Sequence, residues 1–176
     1  GALAVAVFLF RRYYRTESGR RTIDRLILKA PVFGVLALKA SVARVTRTLA
    51  TLLSSGVAIL ESLVIVARVA KNKIIEDALV VARTRISEGR SMSQPLQESG
   101  IFPPMVIQMV QVGESTGSLD NMLNKVADFY EEDVDNLVSN LTALMEPMIM
   151  AFLGVVLGGL IIAMYLPIFK LGTAVG

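Results

Sequence analysis

Between residues 113 and 118 the chain reads Gly-Glu-Ser-Thr-Gly-Ser, a carboxylate and two hydroxyls between glycines four apart, with a helical pattern starting at the last serine. Amides beside glycines at a helix start can cradle a phosphate, and a lone Glu114 between them can act as a general acid. The third reading is a corner between two helices. A phosphate loop needs Lys after its second glycine and a strand before its first; here Ser118 follows Gly117 and a helical pattern precedes Gly113. The acid stands without company, because the 176 residues include neither His nor Cys. That removes disulfides, thiolate nucleophiles, Cys/His metal sites and the usual general base at neutral pH. The spacing therefore favours the corner: Gly113 ends one helix, Gly117 permits a left-handed turn, and Ser118 caps the next helix. Glu114 and Asp120 near that start suit its positive dipole end.

A second set lies just beyond. Asp128, Glu131, Glu132 and Asp135 recur at i, i+3, i+4 and i+7, close enough on one helix to repel. With Asp120 and Asn124 they fall mostly opposite the apolar stripe of that helix. Water and salt, the basic helices of the first half or a partner protein, or a divalent cation would each offset them. All-oxygen ligands favour magnesium or calcium, but carboxylates along one helix make a poor cage. No catalytic residue, metal ligand set or cofactor site is assigned, since lone carboxylates support no transfer or hydrolysis chemistry. The triplet Asn140-Leu141-Thr142 matches a glycosylation acceptor, but it lies on a helix and is set aside.

The elements that position these residues read as helices throughout. No run over 11–146 alternates cleanly at strand length, and Gly and Pro fall between segments of helical period. From Ser41 the positions Val42, Val45, Leu49, Leu52 and Leu53 mark one face, and Gly56 closes it. A second helix covers 59–70. Asn72 caps a third, from Lys73 to about Glu88, with Ile74, Ile75, Leu79, Val80 and Ile86 inward and Gly89 at its end. Ser91 to Gln94 fits a capping box, opening a short helix that stops near Gly100. Pro103 and Pro104 suit the first turn of a fifth helix, with Met105, Met109 and Val112 on its face. The sixth carries the longest stripe: Leu119, Met122, Leu123, Val126, Phe129, Tyr130, Leu137, Val138, Leu141 and Leu144.

The ends point to a membrane. Pro147 to Phe169 is 23 residues without a charge, and a bilayer core needs roughly 20 helical residues. Proline removes one hydrogen bond and crowds the carbonyl at Ala143, so a kink at 147 is expected, without a break. Unbroken from Ser118 to Phe169, the helix would be about 78 Å long at 1.5 Å per residue. Within the span, Gly154 and Gly158, with Gly159 beside them, could let a second helix approach or be chance. Glu146 at the membrane edge either reaches into headgroups or faces a helical interior, where an ionisable group is functional by default. Residues 1–10 are apolar but too short to span and read as the end of another membrane helix, followed by Arg11, Arg12 and Arg15 facing lipid. The chain then reads as the C-terminal part of a longer membrane protein. Residues 1–90 hold sixteen Lys and Arg against six Asp and Glu, whereas 91–176 hold two against nine. Because the basic residues begin at a membrane exit, anionic lipid and the positive-inside rule explain them better than nucleic acid. The expected layout is a basic juxtamembrane segment at 11–40, an all-α antiparallel cytoplasmic bundle of about six helices at 41–146, a transmembrane helix at 147–169, and a short periplasmic tail at 170–176.

Three stretches resemble one known family: VARVTRTLATLLSSGVAILESL at 42–63, MVIQMVQVGESTGSLDNMLNKVADFYEEDVD at 105–135, and ALMEPMIMAFLGVVLGGLIIAMYLPIFKLGTAVG at 143–176. They are similar to the inner-membrane family of type II secretion F and type IV pilus assembly C proteins, and FYEEDVD and MYLPIFKL look most like the pilus branch. Val45 and Ala58 stand where that family commonly has an aromatic and a proline. The resemblance implies two six-helix cytoplasmic modules, of which this chain looks like the second with the final span. It further implies a platform that engages cytoplasmic assembly and retraction ATPases, pilin or pseudopilin, other inner-membrane assembly proteins and itself. Gly113, Glu114 and Gly117 fall on a family turn, and Glu146 and Pro147 on a family membrane entry. That position leaves Glu114 either locking the corner or contacting a partner.

Overall fold

The computed structural model describes residues 21–25, 28 and 33–172. The apolar run at 1–10 and Arg11, Arg12 and Arg15 lie outside those residues. Six helices follow one another: α1 Phe33–Ser54, α2 Ile59–Val69, α3 Lys73–Ser87, α4 Ser93–Glu98, α5 Pro104–Thr116 and α6 Leu119–Gly172. A helical stretch at 21–25 precedes them, and no strand occurs among the described residues. The all-α expectation holds. The chain forms two compact units that meet between Val134 and Asp135.

In the first unit, connections of a few residues fold each helix back onto its neighbour, so that α2 packs on α1 and α3, and α4 on α3 and α5. α1 starts at Phe33, eight residues before Ser41, where the sequence pattern begins. Its buried face is Val42, Val45 and Leu49, as expected, with Leu52 and Leu53 packed at the edge. Asn72 caps α3 as expected, its side chain accepting hydrogen bonds from the amides of Ile74 (3.0 Å) and Ile75 (3.3 Å).

Two faces are turned relative to expectation. On α3 the buried residues are Ile75, Ala78, Leu79 and Ala82, and Val80 is 52% exposed. On α5 they are Val106, Val110 and Gly113; Met105 and Met109 pack beside this line, and Val112 is 46% exposed. The reason is the same in both. Small residues, Ala78 and Ala82 on α3 and Gly113 on α5, share the contact line, whereas a pattern weighted by large apolar side chains passes over them.

Leu123, Val126, Ala127 and Tyr130 at the start of α6 complete the core. In the second unit α6 runs through Pro147 without a break to Gly172, three residues beyond the expected end of the span. Its periodic stripe is no longer buried there: Leu137 and Leu141 are half-buried, and Val138 and Leu144 are exposed. Periodicity identifies an apolar face, but not what covers it. Met148, Phe152, Val155, Leu160 and Ile162 are all exposed, and among the described residues this is the one helix long and apolar enough to cross a membrane. A helix satisfies its own backbone hydrogen bonds in lipid, so such a surface is stable only there or against another apolar face.

Candidate functional site

The six residues from Gly113 to Ser118 form a corner, but not the one read from sequence. α5 continues through Gly113 to Thr116. Gly113 is instead the point where α6 meets α5: a Cβ built there would lie 2.7 Å from the Leu119 Cα and 3.0 Å from its Cδ1. Gly117 makes the turn at φ +69°, in the left-handed region where only glycine goes without cost. The amides of Gly117 and Ser118 both donate to the Gly113 carbonyl, the latter at 3.0 Å. The Ser115 and Thr116 hydroxyls both donate to the Val112 carbonyl. Ser118 stands where a cap should, its carbonyl accepting from the Met122 amide, yet its hydroxyl pairs with that of Thr116 at 2.7 Å. The amides of Gly117 and Ser118 and the hydroxyls of Ser115, Thr116 and Ser118 are thus engaged within the corner.

Glu114 points away from its own turn. Its carboxylate accepts from the Met92 amide and, at 3.2 Å, from the Ser93 amide, both at the N-terminus of α4. These are among the first amides of that helix, which have no partner inside it. The capping box expected from Ser91 and Gln94 does not form: Met92 is already in helical geometry at φ −70° and ψ −33°, and the Ser91 hydroxyl pairs with that of Ser93. An ionised carboxylate is the stronger acceptor and also suits the positive end of the helix, so a residue twenty-two positions away displaces the local cap. The N-terminus of α3 repeats the arrangement. There the buried Asp24 accepts from the Lys73 amide at 2.7 Å, beside the Asn72 cap. Arg21 adds a 2.5 Å pair to Asp77.

The acidic set divides. Arg47 of α1 donates to both carboxylate oxygens of Glu131 (2.9 and 2.8 Å), to Asp128, and to the Asn124 side-chain oxygen (2.9 Å). Lys39 pairs with Asp133 at 2.5 Å, and the Ser54 hydroxyl reaches Asp120 at 3.4 Å. Of the three candidates for offsetting the charge, the basic half of the chain supplies it at Asp128 and Glu131. Glu132 and Asp135 are exposed and outside this seam. Among the described residues no three carboxylates converge as a metal site would require. Arg47, Lys39, Asp133 and Asp24 carry the polar organisation of the unit, and the sequence reading passed over all four as partners.

Hydrogen bonds from Arg47 hold the Glu131 carboxyl below the usual carboxylate range, against the opposing effects of its burial and of Asp128. Hydrogen bonds to Glu131 and then Asp128 hold the guanidinium more firmly protonated than usual. A folded-state pKa depressed below the unfolded value adds stability that is complete above the ordinary glutamate value, about 4.3, and is lost as pH falls below it. The seam is about one-third exposed at Arg47 and more so at its partners, so solvent screening limits its worth. Arg47→Met is expected to cost about 1 kcal/mol at pH 7 and low salt. The deficit should shrink toward zero in 1 M salt, where screening acts within about 3 Å, and as pH falls below about 4. Unfolding curves of both proteins across pH and salt measure it, and a deficit constant at every pH would mean packing rather than charge.

In the second unit Glu146 and Pro147 are exposed, and a Cβ added at Gly154, Gly158 or Gly159 would meet nothing within 4 Å.

These features agree with what the chain resembles. Residues 45–167 match the family described as type II secretion system (T2SS), protein F. The type IV pilus assembly protein PilC of Myxococcus xanthus is 49% identical over 99% of this chain, and PilC of Thermus thermophilus 52% over 96%. Type II secretion system protein F of Pseudomonas aeruginosa is 35% identical over the full chain. The chain spans 42–45% of the length of these relatives. With a helical unit, a long apolar helix and a family match over most of its length, the chain belongs to the type II secretion system protein F family.

Proposed function

We propose that the chain is the second cytoplasmic module and final span of a multi-pass inner-membrane platform protein in a type IV pilus assembly machine. In this reading it engages cytoplasmic assembly and retraction ATPases, pilin subunits, other inner-membrane assembly proteins and further copies of itself, with lipid around residues 147–169. The observation that carries the reading is the gradient of likeness: 49% and 52% identity to two pilus assembly proteins against 35% to a secretion protein F, over nearly the whole chain. A platform for type II secretion, favoured by the description of the matching family, or for a competence pseudopilus is the second reading. Gene neighbourhood separates them: major pilin and retraction ATPase genes against a secretin cluster with pseudopilins.

The continuity of α6 supports a mechanism. An ATPase moves the helical unit, and α6 passes that motion to the span, beside which a pilin helix enters or leaves. A flexible Gly/Ser segment inserted near Asn140 is expected to abolish piliation while expression and ATPase docking persist. Normal piliation in that strain would sink the mechanism.

A further inference from the structure

We propose that the last turn of α5 couples the start of α6 to the N-terminus of α4, through Gly113 on one side and Glu114 on the other. The two contacts belong to adjacent residues of one helical turn and so cannot move independently. Gly113 sets how near Leu119 can come, at a distance where an added carbon would strike the α6 backbone. Glu114 holds the two leading amides of α4. A helix of six residues is far below the length that is stable alone. α4 therefore stays where its buried Met92, Pro95 and Leu96 and this one carboxylate hold it. A displacement of Leu119 turns the end of α5, draws the carboxylate from Met92 and Ser93, and frees the first turn of α4. The effect surfaces in an open groove, where Pro95 and Glu98 of α4 and Ser99 just after it share the lining with Val80 and Val81 of α3. This coupling is internal to the first unit and holds whatever machine the chain serves.

Amide hydrogen exchange on the full chain in micelles tests it, reading residues 91–99 against 59–69 of α2, which reports global opening. Glu114→Gln is expected to speed exchange at 91–99 about 10-fold beyond any change in α2, since charged hydrogen bonds become neutral. Gly113→Ala is expected to speed the same residues several-fold beyond α2, although Gly113 makes no hydrogen bond to α4. Leu119→Ala, which removes the Cδ1 lying 3.0 Å from the Cβ position of Gly113 and leaves the Cα approach in place, serves if the alanine at 113 prevents folding, and should also speed exchange at 91–99 beyond α2. The double variant Gly113→Ala/Glu114→Gln should exchange no faster than Glu114→Gln alone. Additive effects in the double variant, changes confined to 113–123, or a rise in α2 equal to that in α4 would each overturn the coupling.

Discussion

Gly113→Ala is expected to lower the unfolding free energy by about 2 kcal/mol, although alanine is the better helix former by about 1 kcal/mol. Gly113 sits inside α5 with ordinary helical geometry, so propensity alone predicts a gain. Packing decides against it. The added carbon would lie 2.7 Å from a backbone atom of Leu119, and backbone cannot swing aside as a flexible side-chain tip can. Overpacking of this kind costs roughly 1–3 kcal/mol or more, and Gly113→Val should cost still more. Gly117 makes the contrast. An added carbon there meets nothing within 4 Å, so Gly117→Ala loses only the roughly 1–2 kcal/mol of a left-handed backbone. Asn at 117 should recover much of that, while Asn at 113 should be worse than Ala. Thermal unfolding in micelles ranks the variants; a Gly113→Ala protein as stable as its parent would mean that α6 yields at little cost.

Glu114→Ala carries the second large effect, a loss of about 2–3 kcal/mol. It leaves the amides of the buried Met92 and the half-buried Ser93 without an acceptor, and hydrogen bonds to charged groups are worth about 1.5–3 kcal/mol. Glu114→Gln keeps one oxygen and should lose about 1 kcal/mol, and Glu114→Asp is one methylene short of α4. These variants also weigh the two roles the family turn leaves open. Instability that follows the order Ala, then Gln, with assembly failing in proportion, identifies a lock. Stable variants that fail to assemble pili would identify a contact with a partner instead.

The six helices from Phe33 onward, the turns at Gly56, Gly89, Gly100 and Gly117, and the Asn72 cap were legible because each depends on residues within one turn of the chain. The phase of α3 and α5 was not. Ala78, Ala82 and Gly113 define those faces by being small, and smallness carries little weight in a pattern of large apolar residues. The corner at 113–118 was legible as a corner, but the role of Glu114 was not. Its partners are backbone amides twenty-two residues away, and an amide is the same at every position. Arg47 was equally silent, one of sixteen basic residues in the first half. What singles it out is the seam of Asn124, Asp128 and Glu131 on α6, which only the packing of α1 brings within reach.

The carboxylates that cap helices other than their own also set an order of events during synthesis. Asp24 is made 49 residues before the Lys73 amide it holds, so the start of α3 finds its acceptor already present. α4 is in the opposite position. Its sequence is complete at Glu98, but the carboxylate that holds its leading amides is added only with residue 114. A helix this short cannot persist by itself in water, so on a chain emerging from its N-terminus α4 waits for α5, and the two are expected to form as one step.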